Sequence, residues 1–218
     1  MEYLQKFIPE GWNTNEESFN FEDLQKAQKL GTIMQGVGRK CDENYNLQVN
    51  LGNGIVGIIP RNEMDATNSD SFGFTRKSIC KNKVNQFVQF KVKEIYDKNR
   101  MLLSRKDVGK EALEWVKNDL QPGMVINGIV KNIRKYGVFI DIGGGISGLL
   151  HVEDISVSRI KSPEERFFIG QKIKVVVKYI ERDTNRVVLS HKELLGDWEE
   201  NIQDFQEKTV VNRNCKRS

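Results

Sequence analysis

The run Tyr136-Gly-Val-Phe-Ile-Asp-Ile-Gly-Gly-Gly-Ile-Ser-Gly-Leu-Leu-His-Val-Glu-Asp-Ile155 decides the fold, because it lies without a gap on Tyr45-Asn-Leu-Gln-Val-Asn-Leu-Gly-Asn-Gly-Ile-Val-Gly-Ile-Ile-Pro-Arg-Asn-Glu-Met64. A tyrosine, three glycines and an isoleucine are shared, and most other pairs keep their polarity. The likeness continues on both sides. Upstream, Ile33-Met-Gln-Gly36 meets Val125-Ile-Asn-Gly128. Downstream, Val88-Gln-Phe-Lys-Val92 meets Ile173-Lys-Val-Val-Val177, and Asn99-Arg-Met-Leu-Leu-Ser104 meets Asn185-Arg-Val-Val-Leu-Ser190. The chain therefore carries one module twice. In the second copy strands are predicted near residues 125–133, 138–142, 146–152, 172–181 and 186–191, with Val138, Ile140 and Ile142 facing opposite to Phe139 and Asp141. The Gly143-Gly-Gly145 and Asn53-Gly54 sequences read as hairpin turns. About 70 residues with about five short strands and no long internal helix form a small closed barrel rather than a sandwich.

Working outward, the 218 residues divide into an acidic extension with a short helix (1–28), a degenerate first barrel (29–106), a helical linker (107–120), the second barrel (121–193) and a helical, basic tail (194–218). The extension's helix is signalled by Asn20-Phe-Glu-Asp23 and ends near Gly31. In the linker, Ala112, Leu113, Val116 and Leu120 recur at helical spacing behind the cap candidate Asp107. In the tail, residues 204–211 align with 119–126, which reads as the stump of a third module or as a coincidental amphipathic end.

Composition excludes more than it identifies. With 38% hydrophobic and 29% charged residues the chain is globular, and the +4 balance does not by itself indicate nucleic acid. No apolar run of about 18 residues is present, so no membrane partner is expected. The start Met1-Glu-Tyr3 lacks a basic, apolar leader, and a cytoplasmic location is the expectation. Cys41, Cys80 and Cys215 are odd in number and far apart, so neither a disulfide framework nor a C-x-x-C site is expected, and two histidines argue against zinc. Gly143, Gly145 and Gly148 match G-x-G-x-x-G, as do Gly52, Gly54 and Gly57, but no helix opens there to hold a pyrophosphate. His151-Val-Glu153 lacks the P-C-x-x-C of zinc deaminases. No cofactor and no enzymatic activity are expected.

What remains is the outer face. Phe139 has the parity opposite to Val138 and Ile140, and beside cations an outward Phe is a stacking platform. Tyr136 has the other parity, though Gly137 permits a bend that brings it to the same face. On spacing alone both read equally well as core aromatics.

Four segments in order, Gly128-Ile-Val-Lys-Asn-Ile-Arg-Lys-Tyr-Gly-Val-Phe-Ile-Asp-Ile142, Gly145-Ile-Ser-Gly-Leu-Leu-His-Val-Glu-Asp154, Gly170-Gln-Lys-Ile-Lys-Val-Val-Val177 and Asn185-Arg-Val-Val-Leu-Ser190, closely resemble the S1 RNA-binding domain. That family has a five-stranded OB barrel and is named for a large protein of the bacterial small ribosomal subunit. Residues 30–106 resemble it more weakly. The fold expected is mainly β, with two tandem OB-type (S1-like) barrels joined by a helical linker. The resemblance implies RNA contacts by the aromatics Tyr136 and Phe139, by His151, by Arg186 and by an acid that is either Glu181 or Asp183. Lys131, Arg134 and Lys135 flank that face as phosphate contacts. It further implies non-catalytic binding of single-stranded messenger or ribosomal RNA, with the ribosome a candidate partner. A protein-docking adaptor, or the RNA-holding accessory of a ribonuclease or polymerase assembly, is the alternative.

The first copy departs from this pattern. Tyr45 keeps the first aromatic, but Gln48 replaces the second and Pro60 stands in place of His151. Residues 76–110 are strongly basic, which suggests either binding by charge or a solvated strand face.

Overall fold

The computed structural model describes residues 5–16, 18–65 and 77–195. The proposed third-module stump lies outside them. Among the described residues no helix is long and apolar enough to cross a membrane.

The first helix, α1 (Phe21–Leu30), starts on Asn20, whose side chain accepts from the Asp23 N–H, and stops at Gly31 in the left-handed region. The first barrel follows: β1 (Met34–Cys41), β2 (Leu47–Asn50), β3 (Val56–Ile59), a six-residue helix α2 (Lys77–Asn82), β4 (Phe87–Ile95) and β5 (Arg100–Ser104). After α3 (Lys106–Asn118) the second barrel repeats the plan: β6 (Val125–Arg134), β7 (Gly137–Gly143), β8 (Ile146–His151), β9 (Lys172–Glu181) and β10 (Arg186–Ser190). Both sheets close, in the orders β1-β2-β3-β5-β4 and β10-β8-β7-β6-β9, with one parallel pair in each (β3 with β5, β8 with β10). Closure leaves neither barrel a free edge.

Each barrel holds its own core. Leu47, Val49, Ile59, Val88, Phe90, Met101 and Leu103 fill the first; Val138, Ile140, Ile142, Leu150, Val175, Val177 and Leu189 fill the second. Glycines mark where strands cross too closely for a side chain. A Cβ on Gly57 would sit 2.2 Å from Leu103, and one on Gly148 would sit 2.5 Å from Leu189. This equivalent pair explains two glycines of the repeat by packing, and the G-x-G-x-x-G match by a hairpin.

Three features depart from the sequence reading. First, α3 is not a spacer: Val108, Ala112, Trp115 and Val116 belong to the second barrel's core, which the helical spacing alone did not reveal. Second, the acidic extension is built into the molecule. Phe7 packs in that same core, 5.6 Å from the Trp115 ring, and the Gln5 side chain donates to the carbonyls of Asn127 (3.2 Å) and Ile142 (2.9 Å). Glu10 reaches the other side, where its carboxylate accepts from the Gln89 N–H (3.0 Å) and the Arg105 guanidinium (2.8 and 3.1 Å) and pairs with Lys83. Residues 5–16 thus mortar the two barrels together. Third, Cys41 at the end of β1 and Cys80 in α2 are joined by a disulfide, with Cα atoms 6.0 Å apart. Their separation of 39 residues hid a pairing that only barrel closure creates.

Candidate nucleic-acid interface

Gly137 decides the geometry. A Cβ there would lie 2.5 Å from the Leu150 carbonyl oxygen, so the backbone can turn tightly against β8 only without a side chain. That turn presents Tyr136, 51% exposed, beside Phe139; the rings stand edge to face with centroids 6.2 Å apart. The bend that spacing left open is therefore present, and both aromatics share one outer face.

Strand register extends this face into a continuous row. Asn132 pairs with Phe139, Phe139 with Leu149, Leu149 with Val188, and Val188 with Tyr179. Tyr179, 46% exposed, is a third surface aromatic that sequence reasoning missed. Parity hid it: Tyr179 is in phase with the buried Val175 and Val177, and only the register shift against β10, where Val188 pairs with Tyr179 but Leu189 with Val177, turns it outward. Two residues along each strand, Ser147, Arg186 and Glu181 form a parallel polar row, since Arg186 pairs with Glu181 and Val187 with Gly148.

His151 is the register partner of Gly137, which sets it at the Tyr136 end of the face, half-buried, with Nδ1 3.8 Å from Glu153. The adjacent Asp154 carboxylate is buried and binds Lys178 and Lys192 at 2.8 Å each, while its carbonyl accepts from the His191 N–H. Burial would raise that carboxyl; the two lysines outweigh it and hold it below the usual range. This clamp fixes the loop that carries His151 to the end of β10.

The remaining sequence candidates separate. Arg134 and Lys135 are exposed at the β6–β7 turn next to Tyr136. Lys131 instead approaches Asp141 (3.5 Å) and the Glu10 carbonyl (3.5 Å), at the seam with residues 5–16. Between the two acid alternatives, Glu181 stands in the face row and accepts from the Thr184 hydroxyl (2.9 Å), whereas Asp183 is exposed in the β9–β10 turn.

On the first barrel the equivalent row begins Lys40, Gln48 and Ile58. Much of the basic stretch is consumed internally: Lys83 and Arg105 by Glu10, Lys91 by Glu111, Lys93 by Glu63 and Arg100 by Asp97. Arg105 is buried, so burial disfavours its charge, but Glu10 outweighs that and keeps it ionised.

Comparison with known proteins agrees with the repeat. The family model described as "S1 RNA binding domain" matches residues 27–106 and again 119–192. Small ribosomal subunit protein bS1 of Staphylococcus aureus (strain COL) is 42% identical over 132 residues, covering 58% of this chain and 34% of that protein. The bS1 protein of Rhodopseudomonas palustris is 44% identical over 105 residues, covering 46% of this chain and 18% of that protein. The chain spans about a third or less of the length of these curated relatives. Among solved structures, a multidomain protein with nucleic acid binding domains from Streptococcus pneumoniae aligns over 81% of this chain and 58% of its own, at a TM-score of 0.35 and 13% identity, too loose a likeness to add to this.

Proposed function

The chain belongs to the S1 RNA binding domain family, and from that premise we propose that it holds single-stranded RNA non-catalytically, chiefly on the Tyr136–Phe139 face of its second barrel. The observation that carries this is the edge-to-face pair itself. Two aromatic rings left on the outside of a barrel whose own core is complete have no folding role to account for them. Unstacked bases of a single strand lie on such rings at about 1 to 3 kcal/mol each, with little regard to sequence. Duplex RNA keeps its bases stacked and offers none to these rings.

His151 and Arg186 supply hydrogen-bond donors at two borders of the row, suited to base edges, ribose hydroxyls or phosphates. Arg134 and Lys135 flank the Tyr136 end as phosphate contacts, and Glu181 is the acid best placed to orient Arg186. Because the relatives named above are proteins of the small ribosomal subunit, messenger or ribosomal RNA in the cytoplasm, with the ribosome as partner, is the setting proposed for this chain.

The test is a binding titration of the full chain with a labelled, unstructured oligouridylate. Phe139→Ala should weaken binding by about 1 to 3 kcal/mol and leave the far-UV circular dichroism unchanged. Equal affinity of the variant and the parent would remove the assignment.

A further inference from the structure

The connection before the fourth strand differs between the barrels. In the second it carries a one-turn 3-10 helix, Pro163–Glu165, with two acids; in the first it carries α2, with Lys77 and Lys81 exposed. Both lysines lean over the same ring. Nζ of Lys77 lies 4.9 Å and Nζ of Lys81 5.9 Å from the centroid of Tyr45, and the Arg61 guanidinium lies 5.9 Å from it. Tyr45 is half-buried, at a positive φ of 63° in the β1–β2 turn. Among the described residues neither lysine makes an ion pair with a carboxylate, and the nearby Asp42 is committed to the Asn46 N–H and side chain (2.8 Å each). Like charges gathered on one ring repel each other, and an arriving phosphate relieves that repulsion.

The lysines are held there by the seating of α2, in which Ile79 packs partly buried on the first barrel's core and one further link is covalent. A helix of six residues is not stable alone. Cys80 is the one buried residue of α2, and its sulfur is bonded to Cys41 on β1. Cys41 is half-buried, and an open cleft lined by Lys40, Cys41, Asp42, Glu43 and Asn44 gives a small thiol a way in.

We propose that Tyr45, Lys77 and Lys81 form a second contact for single-stranded RNA on the first barrel, and that the Cys41–Cys80 bond switches it by holding or releasing α2. Opening is thiol–disulfide exchange with a low-molecular-weight thiol RSH. The Cys41–Cys80 bond breaks, each protein sulfur ends as a thiol, and two RSH are oxidised to RS–SR. Closing reverses this with RS–SR as oxidant. The proposal rests on the RNA-binding reading of the family, but not on the second barrel's aromatics.

The experiment titrates the full chain with labelled oligouridylate across a salt series, with and without dithiothreitol. Loss of two phosphate contacts at about 0.7 each lowers the salt slope by about 1.4 and the affinity roughly tenfold near physiological salt. Reduction of the parent, Cys41→Ser, and the double variant Lys77→Ala/Lys81→Ala should each show this loss, and neither variant should respond further to thiol. The switch is overturned if the parent binds identically in both redox states, and the site is overturned if the double variant binds like the parent. Phe139→Ala serves as the separating arm. If it binds like the parent while the thiol response persists, the second-barrel reading fails and this inference stands.

Discussion

Phe139 in the second barrel and Gln48 in the first occupy the same place. Each sits on the outer face of the second strand of its barrel, between a polar residue of the first strand (Asn132 or Lys40) and an aliphatic residue of the third (Leu149 or Ile58). Around Phe139 the molecule gathers Tyr136, Tyr179 and His151; around Gln48 it gathers Tyr45, Lys40 and the lysines of α2. One backbone plan thus supports two kinds of surface, because outward side chains do not enter the barrel core and are free to differ. The lesson concerns charge as well. The first barrel is the more basic by count, yet much of that charge neutralises carboxylates of the extension, of α3 and of the turn after β3.

The largest effect expected is at the seam that holds the two barrels in one frame. Glu10→Ala leaves Arg105 buried without its carboxylate, and should cost about 3 to 5 kcal/mol in urea unfolding. Its pH dependence has a definite sign. Burial pushes the Glu10 carboxyl up, but Arg105 and Lys83 outweigh it and hold it far below its ordinary 4.5. The stabilisation is therefore fully present above pH 4.5 and is lost as pH falls towards the depressed value, so the gap between parent and variant should narrow in acid.

Exchanging the two equivalent residues tests the comparison directly. Phe139→Gln makes the second face resemble the first and should lose about 1 to 3 kcal/mol of RNA binding. Gln48→Phe does the reverse and should gain about 1 kcal/mol or less, because no histidine follows at Pro60. No gain at all would mean that the first barrel's face meets no bases. A smaller change is expected at the turn: Lys135→Ala should lower the salt slope by about 0.7, as for one phosphate, with little effect in high salt.

The smallest effect expected is at Asp141, on the outer side of β7, where it accepts from the Gly143 N–H (2.9 Å). Burial, and then the Glu10 charge, push its carboxyl above the usual range, with Lys131 opposing. A raised carboxyl costs stability above its unfolded value, and the cost disappears in acid. Asp141→Asn keeps the acceptor and should change stability by no more than about 1 kcal/mol at neutral pH. Any benefit should grow as pH rises from 3.8 through the raised value, measured by urea unfolding at several pH values.

The sequence by itself determined the repeat, the closed barrels and the outward parity of Phe139, since these follow from spacing within a few residues and from one segment lying on another. Those local periodicities also gave α1 its cap and its stop. It did not determine where Tyr136 points, because that depends on how closely Gly137 meets Leu150 across a strand pair. Tyr179 joined the face only through four successive register pairs around the closed barrel. The Glu10–Arg105 pair spans 95 residues and the Cys41–Cys80 bond 39, and no periodicity carries information over such distances. The tertiary structure alone decided which charges are spent inside the molecule and which face solvent, because a carboxylate selects its cation by proximity in space, and barrel closure sets that proximity.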